Sequence, residues 1–145
     1  VTSEVAAPLW QYRQNRLRHE RGGQLFVDPN RSEGLVLVDA TPPHPRDKAG
    51  WSWFELDEDR CSNEIARANG RGLRLVGYWH THPESIPHIS RQDIKSFKRL
   101  AMRKDSQLPQ PLAVIVGRKA TSIGSKAWSI LESGVIEAEP RLPRV

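Results

Sequence analysis

The chain has 145 residues, 37% of them apolar, with one cysteine and a net charge of +5. That length suits one domain with a single sizeable core. The lone Cys61 excludes an internal disulfide framework and a cysteine-based zinc knuckle, and no apolar stretch approaches the ~20 residues of a bilayer span. The opening Val1–Pro8 has neither the basic start nor the apolar core of a secretion signal, so a reducing, cytoplasmic setting is expected. Lacking an initiator Met, the chain is expected to miss a few leading residues.

Residues 4–19 predict a helix after or through Pro8, carrying Leu9, Trp10, Tyr12 and Leu17 among arginines. Gly22-Gly23 reads as a break and turn that lets the backbone approach closely, followed by a short strand over Gln24–Asp28. Gly34–Asp39 is continuously apolar after its glycine and predicts a strand buried on both faces. The three prolines of Thr41–Gly50 predict a loop, and the alternation of Trp51–Leu56 predicts a half-buried strand. The next helix is well punctuated: Asp57 or Asp59 can cap it, Cys61, Ile65 and Ala68 share a face, and Gly70 can end it.

Leu73–His82 predicts the central strand, with Leu75, Gly77, Trp79 and Thr81 on one face and Val76, Tyr78, His80 and His82 on the other. Ser90 opens a helix striped by Ile94, Phe97, Leu100 and Ala101. Leu112–Gly117 and Ala127–Leu131 predict two more strands, and 138–145 a poorly ordered tail behind a domain of residues 1–137. Strands interleaved with helices argue for an α/β fold around one mixed sheet.

The chemistry concentrates in His80-Thr81-His82-Pro83 and, further on, Ser90 and Asp93. Histidines at i and i+2 of a strand project from one face, within reach of one ion, and Pro83 keeps His82 extended. A carboxylate in the first turn of the following helix can return over the strand end as a third ligand. Two imidazoles and a carboxylate, with a fourth position open, are a catalytic zinc set. Such a site also needs a proton acceptor that is not a ligand. Glu20, beside the two glycines, is the candidate, although spacing alone does not separate it from other acids. Ser90 can offer its hydroxyl to an oxyanion.

Taken singly these features are ordinary. Ser90-x-x-Asp93 is also a helix capping box, His-x-His alone is weak, and Cys61 reads by default as a small buried hydrophobe. His19, His44 and His88 lack partners at ligand spacing. Trp51, Trp53, Tyr78 and Trp79 read as core. Together, Glu20-Arg21-Gly22-Gly23 followed by His80-x-His82-x7-Ser90-x2-Asp93 resembles the signature of the JAB/JAMM (MPN-domain) zinc metallopeptidases. The resemblance covers roughly residues 18–132. It implies a single MPN/JAB domain, a mixed β-sheet flanked by helices, with Zn2+ held by His80, His82 and Asp93, Glu20 as general acid/base and Ser90 steadying the oxyanion. It further implies cleavage of the peptide or isopeptide bond at the C-terminus of a ubiquitin-like modifier. The compact size and the His19-Glu20-x-Gly22-Gly23 start look most like the bacterial single-domain subgroup. Its members accompany E1/E2-like proteins in CBASS antiphage operons and release a cyclic-nucleotide synthase from its conjugates.

Two alternatives stand beside this reading: a non-catalytic MPN scaffold, and a DNA-associated JAB protein. The second draws on the run 91–104, where Arg91, Lys95, Lys98, Arg99, Arg103 and Lys104 face Asp93 as the one opposing acid before Asp105. A solvated helix face is the usual meaning of such a run. No nucleic-acid motif or stacking aromatics accompany it, so nucleic acid is not the expected partner.

Overall fold

A computed structural model of the chain describes residues 9, 11–12, 20–31, 34–49, 54–118 and 125–138. Their elements are β1 (Gly22–Val27), β2 (Leu37–Ala40), β3 (Lys48–Ala49), β4 (Phe54–Glu55), α1 (Glu58–Gly70), β5 (Arg74–Thr81), α2 (Arg91–Ala101), β6 (Leu112–Val116), β7 (Ser125–Leu131) and β8 (Gly134–Ala138). Six strands form one sheet in the order β2-β1-β5-β6-β7-β8, while β3 and β4 make a separate two-stranded ladder. Within the six-stranded sheet β5 and β6 run parallel, joined through α2, and the remaining pairs are antiparallel. A parallel pair requires such a crossover, and the crossover carries the residues after His82 back over the sheet. The expected mixed α/β sheet is therefore what forms.

Both described helices pack on one face of the sheet. There Cys61 of α1 and Phe97, Leu100 and Ala101 of α2 meet Tyr78, Ala113, Ile115, Trp128 and Ile130, and Ile65 and Ala68 cover Phe26. The opposite face gathers Leu25, Val27, Leu37, Trp79, Val114 and Val116 under Leu9 and Tyr12. Beyond Leu9, Gln11 and Tyr12, the helix expected over residues 4–19 lies outside the described residues.

Several local expectations change. Gly22 and Gly23 are not a turn but the first residues of β1, paired with His80 and Trp79. A Cβ on Gly23 would sit 2.1 Å from Thr41 O and 2.6 Å from Trp79 Nε1, so the glycine is needed for close approach. The apolar run before Asp39 is not a doubly buried strand: β2 begins at Leu37, lies at the sheet edge, and leaves Leu35 66% exposed. Strand β3 interrupts the proline-rich loop, and β4 holds only the end of the segment expected from Trp51, with residues 51–53 outside the described set. The strict alternation along β5 also fails. Leu25 faces Gly77 but Phe26 faces Leu75, leaving Val76 as an extra residue. This slip moves Leu75 to the Phe26 face and Val76 to the Trp79 face, while the residues from Gly77 onward keep the expected alternation.

Strand β8 went unforeseen. It follows the turn at Glu132-Ser133, pairs with β7 and includes Ala138, the first residue of the expected tail; residues 139–145 lie outside the described set. The helices match expectation closely. Asp57 caps α1, its carboxylate accepting from Arg60 N, and Ser90 caps α2.

Candidate metal centre

The site lies where β5 ends and α2 begins. His80 is the penultimate residue of β5, 1% exposed, with Phe97 of α2 edge-on to its ring at 5.1 Å. His82 follows the strand and is held in the same extended line, since its N–H donates to Val116 O at 2.9 Å. The two imidazoles lie 5.1 Å apart, centroid to centroid, on one face as the i, i+2 spacing predicts.

Asp93 arrives through the helix start. Ser90 Oγ accepts from Asp93 N at 3.0 Å, and Asp93 Oδ2 accepts from Ser90 N at 2.8 Å, a complete capping box. The box orients the carboxylate, so the capping and site readings of Asp93 are compatible. Its Oδ1 lies 3.5 Å from His80 Nε2 and 3.4 Å from His82 Nε2. The Ser90 hydroxyl oxygen accepts in the box, which leaves its O–H free to donate outward.

Glu20 reaches the cluster from across the sheet. Thr81 N donates to Arg21 O at 2.8 Å, and Thr81 Oγ1 accepts from Arg21 N at 2.9 Å. These two bonds carry the β1–β5 pairing one residue past Gly22 and leave the preceding residue, Glu20, beside the histidines. Its carboxylate is buried, with Oε2 3.4 Å from His80 Nδ1 and Oε1 3.8 Å from His82 Nε2. Among the described residues Glu20 Oε2 has no hydrogen-bond partner.

All five sequence-predicted site residues thus converge. In the described part of the Thr41–Gly50 segment, polar groups are tied to the sheet and to α1. Thr41 is bonded to Gln24 and Trp79, and Asp47 to Arg60 and Asp57. His44 Nδ1 accepts from Arg46 N, and His88 is exposed. Cys61 is buried, and burial pushes its thiol up to about 12, so it is inert as a nucleophile. On the basic run Arg103 folds inward towards Glu58 and Glu55, whereas Arg91, Lys95, Lys98, Arg99 and Lys104 remain exposed.

Sequence reasoning missed two residues. Glu84 Oε1 lies 2.9 Å from His82 Nδ1; a carboxylate two residues after a candidate ligand was the available signal. Arg60 is 3% exposed and donates to Asp47, Glu64, Thr41 Oγ1 and Gly22 O. No local pattern marks it, because a charged residue on a helix is normally exposed.

The cluster's electrostatics are those of a cation site. Burial opposes protonation of His82, but the hydrogen bond and charge of Asp93, with help from Glu84 and Glu20, raise its pKa to about 9. For Asp93, burial opposes ionisation, yet the His82 hydrogen bond, the His80 charge and the Ser90 amide together hold its carboxyl below the usual range. Among the described residues the ion-pair partners of the buried Glu20 and Asp93 are His80 and His82, and two buried carboxylates cost several kcal/mol unless a cation offsets them.

The residues fit a metal ion. Glu20, His80 and His82 each present one ligand atom within 4.8 Å of the others. Zinc bonds of about 2.0–2.1 Å in a tetrahedron set neighbouring ligands about 3.3–3.4 Å apart. The separations of Asp93 Oδ1 from the two Nε2 atoms, 3.5 and 3.4 Å, approach that edge length.

Comparisons with known proteins agree with this architecture. Residues 2–131 match the family described as prokaryotic homologs of the JAB domain. The chain is 31% identical over 136 residues to a CD-NTase/cGAS isopeptidase of Vibrio cholerae serotype O1, covering 90% of this chain and 83% of that protein. It is 29% identical over 129 residues to one from Escherichia coli strain TW11681, covering 87% and 80%. It is 45% identical over 107 residues to one from Pseudomonas aeruginosa, covering 72% and 66%. Among solved structures, a JAB1/MPN domain protein from Archaeoglobus fulgidus superposes with a TM-score of 0.52 at 13% identity, covering 99% of this chain and 97% of that one. A protein from Desulfitobacterium hafniense gives 0.56 at 22%, covering 97% and 86%. At such identities these two likenesses speak to fold. With the family match spanning nearly the whole chain and an MPN-type sheet beneath it, the chain belongs to the prokaryotic homologs of the JAB domain.

Proposed function

We propose that this chain is a zinc-dependent isopeptidase that releases a CD-NTase-type cyclic-nucleotide synthase from its protein conjugates, the bond lying at the C-terminus of a ubiquitin-like modifier. The expectation of a deconjugating hydrolase of the CBASS type agrees with the names of the curated relatives. One observation carries the chemistry. The Nε2 atoms of His80 and His82 share a neighbour in Asp93 Oδ1, while Glu20 Oε2 lies against the other ring nitrogen of His80. That division supports His80, His82 and Asp93 as the zinc ligands and leaves Glu20 for proton transfer.

The chemistry a zinc ion supplies when bound is Lewis acidity, which polarises an amide carbonyl and lowers the pKa of water from 15.7 to about 7. The chain's own residues do the rest. Glu20 accepts a proton as the water oxygen adds to the scissile carbonyl carbon, and the electron pair moves to the carbonyl oxygen. The Ser90 O–H donates to that oxygen. As the C–N bond breaks, Glu20 returns its proton to the leaving nitrogen, and the proton left on the new carboxyl group passes to the amine, so a carboxylate on the modifier and an ammonium on the target are left. Phe97, edge-on to His80 at 5.1 Å, sets an apolar ring against one side of the site.

The test is zinc content alongside turnover of a conjugate of a ubiquitin-like modifier, which E1/E2-like proteins of the same system can prepare. Wild type is expected to carry one zinc and cleave. Glu20→Gln is expected to keep the zinc and lose about 10²–10⁴-fold in rate, and His80→Ala to lose both. Wild-type protein lacking zinc and turnover would instead identify a scaffold.

A further inference from the structure

We propose that Glu84 is a positioning residue for the metal centre: through His82 Nδ1 it selects the imidazole tautomer and the ring orientation that turn Nε2 toward Asp93. The inference rests on the zinc-site reading above and adds a residue to it. His82 Nδ1 lies 2.9 Å from Glu84 Oε1, while its Nε2 lies 3.4 Å from Asp93 Oδ1 and 3.8 Å from Glu20 Oε1. A carboxylate is acceptor-only when ionised, so Nδ1 must carry the hydrogen and a neutral His82 keeps its lone pair on Nε2. Metal-binding histidines use a second hydrogen bond in this way to fix ring and tautomer and to raise ligand basicity.

The backbone holds Glu84 in place for this role. His82 N donates to Val116 O, Pro83 keeps His82 extended, and Glu84 O accepts from Arg118 N at 2.9 Å. Both ends of the short His82–Glu84 segment are thereby tied to β6 and to the residues just after it. The Glu84 side chain is 44% exposed, against 11% for His82. It stands at the rim, outside the buried donor set, and its loss leaves no cavity. His80 has its own neighbours in Phe97 and Glu20, so Glu84 acts on one of the two imidazoles.

The experiment uses the intact chain with zinc as the probe. Zinc affinity is measured by competition with a chromophoric chelator for wild type, Glu84→Ala and Glu84→Gln, with circular dichroism to verify folding. Proton NMR of the zinc-loaded proteins follows the downfield Nδ1–H resonance of His82. Glu84→Ala is expected to bind zinc about 10–100-fold more weakly and to lose that resonance to solvent exchange. Glu84→Gln keeps an acceptor oxygen without the charge and is expected to fall between, with the resonance retained. Stoichiometric zinc binding by wild type together with unchanged affinity and an unchanged resonance in Glu84→Ala overturns the proposal alone. A wild-type chain that takes up no zinc overturns the metal reading and this proposal with it.

Discussion

Thr81 grips Arg21 through two bonds across sixty residues of sequence: its N–H donates to Arg21 O, and its side-chain oxygen accepts from Arg21 N. The pair sits between the two histidines on one strand and beside Glu20 on the other. The residue separating the candidate ligands is therefore a clamp that sets the distance from Glu20 to the two histidines.

Replacing Thr81 with Val keeps the shape and removes the acceptor. Arg21 N then lacks its partner in a part-buried setting, at a cost of about 1–3 kcal/mol. The denaturation midpoint is expected to fall accordingly. Zinc affinity is expected to change little while the cleavage rate drops, because the clamp positions Glu20. Thr81→Ser, which retains the oxygen, should recover most of the rate; a Thr81→Val enzyme of normal rate would show that Glu20 is placed by other contacts.

Protonation of His82 is expected to make metal uptake pH-dependent. In the metal-free protein its pKa is raised from 6.5 to about 9. The stability it contributes is therefore fully present below about pH 6.5 and lost as pH rises through about 9. Zinc requires the neutral ring, so binding releases that proton. Apparent zinc affinity is expected to climb by up to about tenfold per pH unit across this window and to level above about 9. Over the same window the metal-free protein loses stability relative to the zinc-loaded form. Chelator competition and thermal melts between pH 6 and 10 check both trends, and an affinity independent of pH below 9 contradicts them.

Arg60 is the second structural hinge of the site. Burial opposes its charge, but the hydrogen bond to Asp47 and the charges of Glu64 and Asp47 raise its pKa further. The same guanidinium donates to Gly22 O at 3.0 Å, two residues after Glu20. Arg60→Met leaves Asp47 and Glu64 without their shared cation and is expected to cost about 3–5 kcal/mol. Arg60→Lys, a single point charge without the planar fork, recovers only part of this. Urea unfolding measures both; a loss under 1 kcal/mol for Arg60→Met would mean that water satisfies the carboxylates and the network is not closed.

The two helices described in full, the central strand and the side chains of the candidate site were legible in the residues themselves. Their signals are short-range: a cap at Asp57 or Ser90, an apolar stripe on α2, two histidines two apart on an extended segment. Each depends on the 3.6- or 2-residue period and on side-chain type, which a linear chain displays directly. The apolar run ending at Asp39 misled because hydrophobicity does not say whether a strand lies inside a sheet or at its edge. Gly22-Gly23 signalled the close approach correctly but not the strand, because a turn and close approach favour the same residue. What only the tertiary structure decided is long-range. It seated Glu20 against His80, slipped β5 at Val76, buried Arg60 under Asp47 and Glu64, and divided the two nitrogens of His82 between Asp93 and Glu84. These relationships depend on which strands pair and in which register, and pairing energy is shared among many weak contacts distant in sequence, so no single stretch of residues carries it.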